Sequence, residues 1–89
     1  MTIKTHRFNG IVHDVYIEKL DGYCFTSGSK STKPTLVVPI EPENRKKFLE
    51  AIVHEGTHCS FPHMSEEHVT KFSGDMARLL WRLGYRMSQ

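Results

Sequence analysis

Residues 54–58 read His-Glu-Gly-Thr-His, an HExxH motif and the densest concentration of chemistry in the chain. An α-helix turns by about 100° per residue, so two histidines four apart stack on one face, one turn above the other. Both imidazoles can then reach a single ion at the roughly 2.0–2.1 Å of a zinc–nitrogen bond. Glu55 follows the first histidine and points about 100° round the helix from it, so it is not itself expected to be a ligand. It is placed to take a proton from water on the metal, as a general base. The chemistry this pattern implies is zinc-assisted hydrolysis. The plainer reading is two solvated helical histidines with a solvated glutamate beside them, and six histidines in 89 residues raise the rate of such chance matches. Helical phase favours the metal: His54 and His58 fall roughly opposite the stripe formed by Phe48, Leu49, Ile52, Gly56 and Cys59, so they are not core histidines by position.

A zinc site with one open position needs a third protein ligand. Glu66, Glu67, His63, His68 and Asp75 are within reach along the chain. Glu66 stands three residues before Val69, near the inner face of a second helix, and ranks first. Glu67 shares a polar side with Lys71 and Arg78 and ranks second, its plainer role being an acid that complements the helix dipole. His63, in the connection between the helices, is a further alternative. His68 reads as a surface residue or a neighbour of the site.

The elements that must position these groups follow from pattern. Ile11 to Leu20 is rich in β-branched residues and runs into Asp21-Gly22, a two-residue hairpin signal, which predicts a return strand at Tyr23 to Thr26. Ile3 to Phe8 is a further short strand. Ser27 to Lys33 reads as a loop. Thr35 to Ile40 is a strand that Pro39 assigns to a sheet edge, since proline cannot donate to a ladder. Pro42 and Glu43 suit the first turn of a helix running to about Cys59. A second helix starts at the N-cap Ser65, with Glu66 and Glu67 in its first turn, and stops at Gly84. Its apolar stripe is Val69, Phe72, Met76, Leu79, Leu80 and Leu83. The fold class predicted is α+β: one domain over residues 1–89, with a small antiparallel sheet of three or four strands followed by two helices.

Composition narrows the function. Hydrophobic content of 38% and charged content of 25% are those of an ordinary globular domain. A net charge of +2 with no basic run gives no footprint for nucleic acid. No apolar run approaches the roughly 20 residues that span a bilayer, and residues 1–10 hold no secretory h-region, so the expectation is a cytoplasmic protein without a membrane partner. Cys24 and Cys59 form no CxxC pair; buried free thiols are the expectation, with one disulfide as the alternative. His6 and His13 have no partner at metal spacing along the sequence. Trp81 falls off the second helix's stripe, and packing of the C-terminal tail is its expected role. Tyr85 and Arg86 follow the stop glycine and are read as surface residues, with an oxyanion-stabilising role as the alternative.

Residues 48–86, FLEAIVHEGTHCSFPHMSEEHVTKFSGDMARLLWRLGYR, resemble small phage and bacterial proteins of the zincin superfamily, in the gluzincin manner. Those proteins carry an L-E-x-x-I-H-E-x-x-H helix, a short loop and an S/D-E-E-x-V helix. The upstream DGYCF and KPTLVVPIE segments resemble their Gly-rich turn and edge strand. The likeness spans about three-quarters of the chain, and HExxH is its one highly specific part. It implies a metallopeptidase with zinc held by His54, His58 and a glutamate of the second helix, and with Glu55 as base. It also implies that the strand Thr35 to Ile40 borders the cleft and pairs with a peptide or protein substrate in extended form. Two features depart from it. Gly56 replaces a larger apolar residue, and no second lobe is evident to form substrate pockets. The alternative function is a zinc-stabilised, non-catalytic protein-binding module of the phage accessory type, and the third reading is an α+β domain whose motif is accidental.

Overall fold

The computed structural model describes residues 3–18, 22–25, 33–39 and 44–85. Four strands, β1 (Thr5–Phe8), β2 (Ile11–Glu18), β3 (Tyr23–Phe25) and β4 (Thr35–Pro39), precede two helices, α1 (Arg45–Ser60) and α2 (Glu66–Arg82). The α+β class is as expected. The sheet is mixed rather than wholly antiparallel: its order is β1-β2-β4-β3, with a parallel pair at its centre, β2 against β4.

The tight hairpin forms at Asn9-Gly10. Asn9 has φ 52° and Gly10 φ 77°, the left-handed pair whose twist suits a two-residue turn, and they join Phe8 to its partner Ile11. The Asn9 side chain also donates to the Ser60 carbonyl at 2.7 Å, so the turn residue ties the sheet to the C-terminal end of α1. The hairpin expected at Asp21-Gly22 is corrected. Asp21 lies outside the described residues, and β3 does not return against β2. It pairs antiparallel with β4, Cys24 opposite Leu36, and β4 lies between β2 and β3. The strand assigned to the edge is therefore internal. Leu36, Val37 and Val38 are all buried, and three consecutive apolar residues need cover on both faces. Pro39 is tolerated because it is the last residue of β4, beyond the Val37 position where pairing with β3 ends.

The helices lie in layers. Leu36 and Val38 meet Phe48 and Cys59 of α1, with Phe8, Val15, Cys24, Ala51 and Ile52 packed around them. α1 rests on β3 and β4, and α2 rests on α1. Cys24 and Cys59 form a disulfide across a sequence separation of 35, with Cα atoms 5.5 Å apart, which corrects the expectation of free thiols. Linear spacing could not show that a residue of β3 and one in the last turn of α1 enter the same core.

α1 begins at Arg45, capped by Asn44, whose Oδ1 accepts from the Lys47 amide at 2.9 Å. The expected first turn at residues 42 and 43 lies outside the described residues. α2 starts where predicted, with Ser65 Oγ accepting from the His68 amide at 3.2 Å. It ends at Gly84, φ 93°, where the Gly84 amide bonds the Trp81 carbonyl and the Tyr85 amide bonds that of Leu80, the paired bonds of a Schellman stop. Its buried face differs from the predicted stripe. Val69, Ser73, Gly74 and Ala77 are buried, whereas Phe72, Leu79 and Leu83 are exposed. Small residues at a helix contact shorten the interaxial distance, and that close approach brings α2 to the histidine face of α1.

Candidate metal centre

α1 carries different chemistry on each of its covered sides. Phe48, Ile52, Glu55 and Cys59 recur at spacings of four, three and four, one stripe of the helix, and this stripe meets the sheet. His54 and His58 turn toward α2. Their side chains are about one-fifth exposed, at 21% and 23%.

Glu66, the first residue of α2, reaches across to both. Its Oε1 lies 2.6 Å from His54 Nε2 and its Oε2 lies 2.9 Å from His58 Nε2. One potential ligand atom from each of the three residues falls within 4.8 Å of the others, a span suited to one metal ion. The other third-ligand candidates lie outside this group. Glu67 and His63 do not converge with the two histidines, His68 Nδ1 is engaged with the Ser65 hydroxyl at 2.9 Å, and Asp75 pairs with Arg78 one turn along α2.

Ser73 fixes how His54 presents itself. The Ser73 hydroxyl donates to the Val69 carbonyl at 2.7 Å, so toward His54 Nδ1, at 3.3 Å, it acts as acceptor. Nδ1 then carries a proton, and the Nε2 lone pair is available toward Glu66. Imidazole nitrogens and carboxylate oxygens, all lone-pair donors, therefore converge on one small volume. Such a cluster calls for a cation, either protons on the rings or a metal, and the donor set of two imidazoles and a carboxylate fits zinc. Ser73 stands where an outer partner would orient the His54 imidazole toward an ion. Sequence reading missed it because Ser73 is polar and was not counted in the stripe that it borders; its intervals of four from Val69 and three from Met76 were the signal available.

Glu55 is 9% exposed and stands beside the cluster. Desolvation raises its pKa above the ordinary carboxylate value, against the opposing pull of His54 and His58. Gly22 makes room for it. A Cβ built on Gly22 would lie 2.6 Å from Glu55 Oε2 and 2.7 Å from Pro39 Cδ, so any side chain there would force the carboxylate aside. Burial also acts to raise Glu66, but there the charges of both histidines and their hydrogen bonds outweigh it, and its pKa falls below the ordinary value. The two carboxylates are thus driven apart in basicity, a common arrangement when one must move a proton and the other must stay ionised.

These groups line an open cleft of about 370 Å³, bordered by Gly22 and Cys24 on the sheet side and Pro62 on the loop side. The strand beside it is β3, an edge of the sheet. β4, expected to border the cleft and receive a peptide, is paired on both sides over the described residues. No helix among the described residues is long and apolar enough to cross a membrane. No protein-family model matches the chain, and no curated protein or solved structure matches it.

Proposed function

We propose that this chain is a zinc-dependent hydrolase acting on peptide bonds, with His54, His58 and Glu66 as ligands and Glu55 as the proton-moving group. The observation that carries the reading is the convergence of His54 Nε2, His58 Nε2 and the Glu66 carboxylate beside a desolvated second carboxylate. Zinc, when bound, supplies a Lewis acid that acidifies water and polarises a carbonyl. The chain's own residues do the rest. Glu55, made more basic by burial, accepts a proton from the attacking water and returns it to the leaving amine. Ser73 holds the His54 ring with Nε2 turned inward. Among the described residues β3 is the outer strand beside the cleft, and an extended substrate would pair there rather than on β4.

The test has two stages. Protein purified without a histidine tag should carry about one zinc per chain, the number one such site holds. It should then cleave some member of an unstructured-peptide library, and Glu55→Gln should retain zinc and fold while losing cleavage, because an amide cannot take the water proton. Zinc bound with no turnover on any peptide would favour the non-catalytic binding module. Protein that neither holds zinc nor gains stability from it would remove both readings.

A further inference from the structure

A second group of metal-ligand types lies in the core, apart from the His54 cluster. His13 of β2 is fully buried, at 0% exposure, against Phe8 in an edge-on ring contact. Its Nδ1 lies 2.9 Å from the Ile11 carbonyl, which can only accept, so Nδ1 carries the proton and Nε2 presents a lone pair. That Nε2 is buried and has no hydrogen-bond partner among the described residues. A ring nitrogen of His13 and the two sulfurs Cys24 Sγ and Cys59 Sγ all fall within 4.8 Å of one another. A disulfide has no S–H to offer the orphaned nitrogen, and burying an acceptor without a donor is unfavourable.

Reduction changes what these sulfurs can do. The S–S bond takes two electrons and two protons from a dithiol reductant, which itself closes to a disulfide, and Cys24 and Cys59 become thiols. We propose that in this dithiol state His13, Cys24 and Cys59 form a second metal site, selective for a thiophilic divalent cation, with zinc as the first choice. On binding, each thiol releases its proton to solvent and each sulfur forms a bond to the metal, while His13 Nε2 gives its lone pair. Two thiolates balance the dication, so the cluster buries no net charge. Tetrahedral zinc with bonds of about 2.3 Å to sulfur and 2.0–2.1 Å to nitrogen places its ligands roughly 3.5–4 Å apart, so the sulfurs must separate from bonding distance. The Ile11 carbonyl holds the ring tautomer, as outer partners of ligating histidines do. Cys24 also lines the open cleft, which gives an ion a way in. Ambient redox state thus selects between a covalent staple and a metal staple at the same three residues.

The test compares oxidised and reduced chain by metal stoichiometry and by cobalt substitution. Reduction should raise bound zinc by one equivalent, whatever the His54 site holds: from one to two if that site binds, from zero to one if it does not. Cobalt in the reduced protein should show thiolate-to-cobalt charge-transfer absorption, which a site of two histidines and a glutamate cannot give. His54→Ala/His58→Ala should keep that absorption, and Cys24→Ser should lose it. His13→Gln should weaken cobalt binding by at least the upper end of the roughly 10–100-fold that outer-partner changes cost. Unchanged stoichiometry on reduction, absence of the charge-transfer band, or full affinity in His13→Gln would each overturn the proposal. So would a reduced chain that unfolds and is not refolded by zinc, since a real site returns its binding free energy to the fold.

Discussion

Glu66 and Glu67 are neighbours of the same type, and about 100° of helix rotation separates their fates. Glu66 faces both histidines, whereas Glu67, on the next step of the helix, is not part of the group gathered there. Glu66→Ala should therefore weaken zinc binding by about 100-fold or more, and Ser73→Ala by roughly 10–100-fold through the loosened His54 ring. Glu67→Ala should bind as the parent does. Competition against a chelator of known affinity gives the order, and equal effects of the two glutamate variants would show α2 rotated from the position described. Glu55 carries a second residue-scale consequence. Its folded pKa is raised, so the stability it contributes is fully present below the ordinary carboxylate pKa and is lost as pH rises through the folded value. In metal-free protein, the wild type should thus lose stability relative to Glu55→Gln as pH increases from about 4 to neutral. Denaturant melts of the pair across that range check it; a gap that stays constant would mean the carboxylate is not desolvated.

At the scale of elements, the two helices differ in how well their periodicity reports their packing. α1 follows its stripe in part: Phe48, Ile52 and Cys59 meet the core, but Glu55 is buried beside them, and the histidines fall on a separate face as phase predicted. α2 does not: Phe72 and Leu79 are nearly half exposed, at 43% and 47%, while Ser73 and Gly74 are buried. The close contact with α1, and the serine bond to His54, decide its rotation over transfer of larger apolar groups. Gly56 makes an element-scale prediction of opposite kind. Its position is helical, and a Cβ there would meet Phe8 Cε1 at 3.9 Å, an ordinary contact. Gly56→Ala should consequently stabilise the protein by about 0.5–1 kcal/mol without disturbing the metal residues. A lower melting temperature in that variant would mean that α1 needs the glycine for an approach closer than this.

For the whole molecule, a core this small is held from several directions. Asn9 ties the β1–β2 turn to the end of α1, and Cys24–Cys59 ties β3 to the same helix turn. Small domains commonly rely on such staples because apolar burial alone is limited. Closing a loop across 35 residues should contribute about 2–4 kcal/mol by restricting the unfolded chain. Reduction in the presence of a chelator should therefore lower the melting temperature by roughly 8–30 °C for a domain of this length. Calorimetry on oxidised and reduced protein measures it, and a shift of only a degree or two would show that the three layers are held by packing alone.

The α+β class, the boundaries of α2, the face of α1 that bears His54 and His58, and the placement of Glu66 near that face were all legible in the sequence. These are local matters: a cap, a stop glycine and a helical phase act over one or two turns, and residues four apart cannot avoid each other. Even locally, the expectation of a hairpin at Asp21-Gly22 passed over Asn9-Gly10, where the tight two-residue turn between paired strands lies. Tertiary structure alone decided the rest. The insertion of β4 between β2 and β3 arises because its apolar run demands cover on both faces, and strand order is a long-range competition that no window of residues contains. The same insertion makes β3 the edge at the cleft, sets Gly22 against Glu55, and brings Cys24 to Cys59 and His13. Residues up to 46 positions apart meet there because layers stack, which is a property of packing and not of spacing.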